Sequence, residues 1–267
     1  MYKIYLKARV LRVLSALLAF LMLTPALPAS AANARATEYA KASKNAVTQA
    51  KAQKLRVLSS GKKGSDVLAM QKRLNELGYL HSRYLNGKYG SATQRAVRKF
   101  QLIHLKKNTG KASAALQKKI LSSDARKVPT IDNTSWSNSS INRHFGNGSI
   151  ATIIDLNTGT TIKVRRLFGT NHLDVEPATK TDTKRLKKIY GGKWSWASRG
   201  VLLLTDGKWY AASINSMPHG QQSNISNGYK GQFCMHLKDS KTHGSNKVNA
   251  EHQKKIKAVV AYFEKYS

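Results

Sequence analysis

The chain has one cysteine, few acidic side chains and no long apolar run, and each shortage removes a class of explanation. Cys234 is the only cysteine among 267 residues. No intramolecular disulfide can form, and the lone thiol becomes a feature to account for. Acidic residues number 13 against 46 Lys and Arg, a formal net charge of +33. That balance drives a protein toward polyanions. The most apolar stretch, Val13 to Leu23, contains Ser15 and is followed by Thr24, Pro25 and Pro28. A helix needs about 20 apolar residues to cross a bilayer, so this run is too short. The zinc-peptidase pattern His-Glu-x-x-His is also absent. What remains is ordinary: 41% of residues are apolar, enough for packed cores and unlike a disordered composition.

The first residues say where the charge acts. Lys3, Lys7, Arg9 and Arg12 precede the apolar run, and Ala29-Ser30-Ala31 fits the small-x-small rule of signal peptidase. Residues 1–31 therefore read as a secretory signal peptide, with no integral membrane span after cleavage. No cysteine stands at the cleavage site to carry a lipid. Residues 32–54, rich in Ala, Lys, Ser, Asn and Thr, read as a basic linker. Export, and basic residues scattered over linkers and helices rather than one stripe, argue against nucleic acid as the partner.

Residues 55–124 read as three short helices. Val67, Met70, Leu74 and Leu77 fall on one helical face, with Ser65 or Asp66 at its start and Gly78 at its end. Ala92 to Leu102 and Ala112 to Leu121 supply the second and third helices. The string Leu58-x2-Gly61-x2-Gly64-x-Asp66-Val67-x3-Gln71-x2-Leu74-x2-Leu77-Gly78-Tyr79 resembles the start of a peptidoglycan-binding domain of the three-helix type. Gly87-x-Tyr89-Gly90-x2-Thr93-x2-Ala96-Val97-x2-Phe100-Gln101 continues the pattern. Most of these positions read as fold: Leu74, Leu77, Val97 and Phe100 as core, and Gln71 and Gln101 as ties between helices and loops. The resemblance implies peptidoglycan as partner, with Tyr79, Tyr84 and Tyr89 as candidate substrate-binding aromatics. It implies secretion and cell-wall association, with anionic wall polymers such as teichoic acids as further targets of the positive charge.

Residues 125–148 read as a second linker, and residues 149–267 as a mostly β domain with two packed helices. The fold class is multidomain α + β, a small three-helix bundle followed by that domain. Asp206-Gly207, between Val201–Thr205 and Trp209–Ile214, is the strongest hairpin signal. Asn249 caps a final helix with Ile256, Val259, Val260 and Phe263 inward.

Two constellations in this domain carry chemistry. His219-Gly220 is followed, fifteen residues after the histidine, by Cys234 at the start of an apolar strand. This resembles the catalytic pattern of L,D-transpeptidases, which edit or cross-link wall peptides. The resemblance implies Cys234 as nucleophile, His219 as its general base, the Gly220 carbonyl as the group that orients the ring, and His236 nearby. Where that family has Ser-His-Gly before the cysteine, this chain has Gly231-Gln232-Phe233. The second constellation is His172-Leu173-Asp174, expected in a strand-end loop, with His236 and His243. Those residue types make an alternative zinc set, with zinc as cofactor of a wall hydrolase. Further readings stay open. Cys234 is a buried small apolar residue in one of them; in another the protein binds the wall without catalysis.

Overall fold

A computed structural model describes residues 55–264. The expected signal peptide and the basic linker lie outside the described residues, among which no helix is long and apolar enough to cross a membrane.

Three helices form the first lobe. Helix α1 (Ser65–Glu76) buries Val67, Met70 and Leu74. Helix α2 (Ser91–Ile103) buries Ala96, Val97 and Phe100, and α3 (Ala114–Leu121) buries Leu116 and Ile120. The third helix starts later than apolar spacing suggests because Ser113 caps it, accepting from the Leu116 N–H. Ala112 instead pairs with Leu58 in a short bridge between the two ends of the lobe. At the end of α1, Gly78 (φ +83°) donates to Asn75 and Tyr79 donates to Leu74, the left-handed exit that a glycine permits. Gln71 stitches α1 to the following loop. Its Oε1 accepts from Asn86 and Gly87 N–H, and its Nε2 donates to the Lys88 carbonyl and Thr93 Oγ1. Gln101 does the same for residues 109–111.

The expected linker 125–148 is instead folded. The Val128 N–H donates to the Leu77 carbonyl, Ile131–Asp132 form strand β1, and a single-turn helix α4 (Ile141–His144) follows. Ile141 and Phe145 are fully buried four positions apart, so they share one face. Surrounding Ser, Asn and Thr conceal that face in the sequence.

Strands β2 (Ile150–Asp155), β3 (Thr161–Phe168), β4 (Leu173–Pro177), β5 (Arg199–Thr205), β6 (Lys208–Ile214) and β7 (Phe233–His236) make up the rest of the sheet. Its order is β1-β6-β5-β2-β3-β4-β7, and β6 also pairs with β7, so β2 to β7 close into a barrel. Asp206 and Gly207 both have positive φ, the geometry of a tight β5–β6 hairpin turn. Helix α5 (Lys180–Ile189) packs on β3 and β4, and α6 (Ala250–Phe263) on β5 and β6. Asn249 caps α6, accepting from the Glu251 and His252 N–H groups. Of His172-Leu173-Asp174, only His172 lies in a strand-end bend: β4 begins at Leu173, and all five of its residues are buried.

Two cores result. One fills the barrel with Ile153, Val164, Leu173, Val175, Leu203, Phe233 and Met235. The other runs from the three-helix lobe to Ile154, Leu202, Trp209, Ile256, Val259 and Phe263, on the outer barrel face beneath α6. The lobes therefore share a core. Gly159 marks how closely they meet, since a Cβ there would lie 2.6 Å from the Lys106 carbonyl oxygen. Asn108 secures the joint, its Nδ2 donating to the Leu156 carbonyl at 2.7 Å and its N–H to the Thr158 carbonyl at 3.1 Å.

Candidate active site

Side chains alternate across a strand. Phe233 and Met235 enter the barrel core, so Cys234 and His236 face outward beside the start of α6. Cys234 stands opposite Asp174 on β4, and His236 opposite Ser213 on β6. Between β6 and β7 the chain leaves and returns as a bridge, His219 and Gln232 exchanging both backbone hydrogen bonds. Gly231 permits the return: its φ is +122°, and a Cβ would lie 2.6 Å from the His219 carbonyl oxygen. Glu176 anchors the excursion, accepting from Ser223 and Asn224 N–H, Ser223 Oγ and Asn227 Nδ2.

The bridge brings His219 to the cysteine. Cys234 Sγ lies 3.3 Å from His219 Nε2. His219 Nδ1 is 2.8 Å from the Met217 carbonyl, which can only accept. Nδ1 therefore carries the proton, and the Nε2 lone pair faces the thiol. The carbonyl that holds the ring is that of Met217; Gly220, expected in that place, sits at φ +62°, where a Cβ would lie 3.1 Å from Gln232 Nε2, and no hydrogen bond joins its carbonyl to the ring. Cys234 is 8% exposed at the floor of a cleft of about 710 Å³. Trp196, 58% exposed, flanks His219 with ring centroids 4.9 Å apart.

The second constellation gathers on the other side of the sulfur. His172 Nδ1 donates to the Lys241 carbonyl at 2.6 Å, so Nε2 points inward, 3.5 Å from Asp174 Oδ1. The same oxygen accepts from His243 Nε2 and Gln232 Nε2, each at 3.0 Å. Donor atoms of His172, Asp174 and His243 lie within 4.8 Å of one another, as do those of His172, Cys234 and His236. His236 thus adjoins the sulfur rather than the carboxylate. Its Nδ1 meets Ser240 Oγ at 2.9 Å, and its ring lies between those of His172 and His252. His252 Nδ1 in turn meets Ser213 Oγ.

Electrostatics divides these rings. Burial opposes charge on His172, but the Asp174 carboxylate, the Cys234 sulfur and the Lys241 carbonyl outweigh it and raise the ring to about 10. Burial, then repulsion from neighbouring histidines, lowers His236 to about 2; the same causes lower His252 to about 4. Burial opposes ionisation of Asp174, yet His172 and His243 hold its carboxyl below the usual range.

Two of the three candidate aromatics are core residues. Tyr79 is 3% exposed and donates to the Arg126 carbonyl; Tyr89 is 1% exposed and donates to the Gly110 carbonyl. A small bundle has few large side chains for its core, and these two are used there. Tyr84 is half-buried, with Arg83 over its ring. Sequence reasoning missed Met217, Gln232, His252 and Trp196. Gln232, two residues before the cysteine, had a positional signal; a backbone carbonyl such as Met217 has none.

Comparison with known proteins supports the first lobe. Residues 63–120 match the family described as "Putative peptidoglycan binding domain". No curated protein matches the chain. Among solved structures, it is similar to a fused Zn-dependent amidase/peptidase/peptidoglycan-binding domain-containing protein from Clostridium acetobutylicum ATCC 824, at 26% identity and a TM-score of 0.26. That match covers 41% of this chain and 55% of the other, about half its length.

Proposed function

We propose, from the premise that residues 63–120 form a peptidoglycan-binding domain, that the protein is a secreted, wall-associated enzyme whose barrel performs cysteine acyl transfer or cleavage on wall peptides. The observation that carries this reading is the 3.3 Å approach of Cys234 Sγ to a His219 ring whose other nitrogen is held by Met217. A thiol is mostly protonated at neutral pH, and a fixed base raises its reactive fraction.

His219 Nε2 takes the thiol proton, and the sulfur attacks a peptide carbonyl. The C–N bond breaks, the leaving amine takes the proton from His219, and a thioester remains on Cys234. A second amine then attacks the thioester and passes its proton to His219; the C–S bond breaks, the departing sulfur recovers that proton and a cross-link remains, while water in place of the amine gives hydrolysis. The wall-binding lobe supplies effective concentration, because it shares a core with the barrel. The formal charge of +33, which falls to +29 once residues 1–31 with their four basic and no acidic side chains are removed, adds salt-sensitive attraction to anionic wall polymers such as teichoic acids.

A zinc hydrolase fits less well. A catalytic zinc keeps an open position for water, whereas His172 and Asp174 are at most 1% exposed and Cys234 adjoins their ring.

The test is Cys234→Ala on isolated sacculi, read by muropeptide chromatography. We expect turnover to fall by ~10³-fold or more, with sacculus pull-down unchanged. An unchanged muropeptide profile overturns the reading.

A further inference from the structure

Cys234 and His219 supply a nucleophile and its base, but neither meets the oxygen that becomes charged when sulfur adds to a peptide carbonyl. The side chain beside the cysteine on the neighbouring strand is that of Asn215. The β6–β7 register pairs Ser213 with His236 and Ile214 with Met235. Extending it by one residue pairs Asn215 with Cys234, and the Asn215 N–H donates to the Cys234 carbonyl at 3.4 Å. Residues directly opposite on antiparallel strands share a face, with Cβ atoms about 4.5–5.5 Å apart. The Asn215 amide therefore stands next to the thiol, and it lines the same cleft as Cys234 and His219.

The backbone on both sides of Asn215 is held, while its side chain is not. The Ile214 carbonyl accepts from the Tyr190 hydroxyl at 2.9 Å, and the Ser216 carbonyl accepts from the Tyr229 hydroxyl at 2.9 Å. The Ser216 N–H donates to the Ser195 carbonyl, also at 2.9 Å. Yet Asn215 is 3% exposed and its Oδ1 meets no donor. Its Nδ2 makes no hydrogen bond among the described residues. Three other residues of the cluster have an unpartnered atom, but each is tied through another: His172 through Nδ1, Asp174 through Oδ1, Gln232 through Nε2. Asn215 is tied through neither end of its amide. A buried amide left in this way costs stability that an apolar side chain of the same shape would not, so it needs a reason.

We propose that Asn215 is a catalytic residue, the side-chain donor that receives the oxyanion of the acyl-transfer step; the assignment rests on reading Cys234 as the nucleophile. As sulfur bonds to the carbonyl carbon, the C=O π pair moves onto the oxygen, and Nδ2–H donates to it. When that pair returns, the C–N bond breaks, and the leaving amine takes the proton that His219 removed from sulfur. The thioester passes through the same oxyanion when an amine or water attacks it. Asn215 itself neither gains nor loses a proton. Because its backbone is fixed and the amide is shielded from water, the donor needs little rearrangement as charge develops. Oδ1 is left to accept an N–H of the same substrate, so one carboxamide is complementary to both halves of a peptide chain.

The test uses the full-length protein with Asn215→Ala and Asn215→Leu. The readouts are turnover on isolated sacculi, the rate of Cys234 alkylation by iodoacetamide, and the midpoint in urea. Alkylation displaces iodide at a CH₂ group and forms no oxyanion, so it reports the thiol and His219 without the proposed donor. We expect both variants to lose turnover by ~10²–10³-fold while alkylation stays within about threefold of the parent. Asn215→Leu should hold or raise the midpoint, because it replaces an unpartnered amide by an apolar group of similar shape. Alanine cannot obstruct the cleft, so a similar loss in both variants assigns the effect to the missing donor. Parental turnover in Asn215→Ala overturns the assignment, and if Cys234→Ala is inactive the acyl-transfer reading still stands. Loss of turnover with an equal loss of alkylation, or with a lower midpoint in Asn215→Leu, also overturns it, since Asn215 then only supports the structure of the site. If Cys234→Ala keeps its turnover, the acyl-transfer reading and the role of Asn215 fall together.

Discussion

The two lobes use most of their buried polar side chains differently, although the helical lobe also has unpartnered buried atoms, Arg98 Nε and Asn108 Oδ1. In the three-helix lobe, Gln71, Gln101 and Gln117 are at most 4% exposed, and each closes a loop or helix end with its amide. On the outer barrel face, His172 Nε2, Asp174 Oδ2, Asn215 Oδ1 and Gln232 Oε1 are buried without a hydrogen-bond partner in the protein. All four residues lie in or beside the Cys234 site. Satisfied polar groups fix a structure, whereas groups held ready but unsatisfied mark where a fold carries function. The first lobe is thus recognised by residues that maintain its fold. The second is recognised by residues its fold leaves unused.

That contrast is sharpest if each lobe can be weakened without touching the other's polar groups. Cys234→Ala should remove turnover, as above, yet change stability by no more than about 1 kcal/mol, since it deletes one small side chain. Gly159→Ala should do the reverse. The position needs a left-handed backbone, and the new Cβ meets the Lys106 carbonyl and the Asn108 N–H at 2.6 and 2.7 Å. We expect a loss of about 2–4 kcal/mol. Calorimetry should resolve separate melting of helical lobe and barrel, with the Cys234 alkylation rate retained. A single unshifted transition would show that the joint does not couple the lobes.

Gln71→Ala tests the helical lobe alone. It leaves the Asn86 and Gly87 N–H groups and Thr93 Oγ1 without their amide partner. The expected cost is about 1–3 kcal/mol, seen as a lower midpoint in urea. Sacculus binding per folded molecule should be unchanged. If binding is lost while the midpoint holds, Gln71 belongs to the binding surface and the contrast between the lobes weakens.

How much of this was legible follows the same division. Helix periodicity and the Gln and Gly positions of the first lobe are local signals, so its helices emerged within two residues of their observed ends. Tyr79 and Tyr89 misled because an aromatic in a small domain serves as core or groove, and spacing does not separate the two. Strand β4 was hidden because Asp174 and Glu176 are buried acids in a short segment, and burial of charge depends on partners distant in sequence. Residues 125–148 were hidden because Ile141 and Phe145 are only two apolar anchors in a polar stretch. Cys234 and His219 were legible because one backbone bridge brings them together. Their neighbours His172 and His243 depend on barrel closure, which no local pattern encodes.

The smallest expected effect concerns proton uptake by the helical lobe. His104 stacks on Phe100 with centroids 4.0 Å apart, and its Nε2 accepts from the Arg126 N–H. Burial, and then the charges of Lys119 and Arg126, depress it to about 4. An unfolded histidine titrates near ~6.5. Above that pH neither state binds the proton, and the stability is fully present. Below it the unfolded chain takes up a proton that the folded lobe refuses, so stability falls progressively from pH 6.5 toward 4. The ring is partly exposed, which keeps the effect modest. His104→Gln removes this titration, so its melting temperature should fall less between pH 7 and pH 5 than that of the parent. Parallel curves would mean that the neutral ring is not what ties Arg126 to α2, and that the lobe's polar groups are less fully committed to its fold than Gln71 and Gln101 imply.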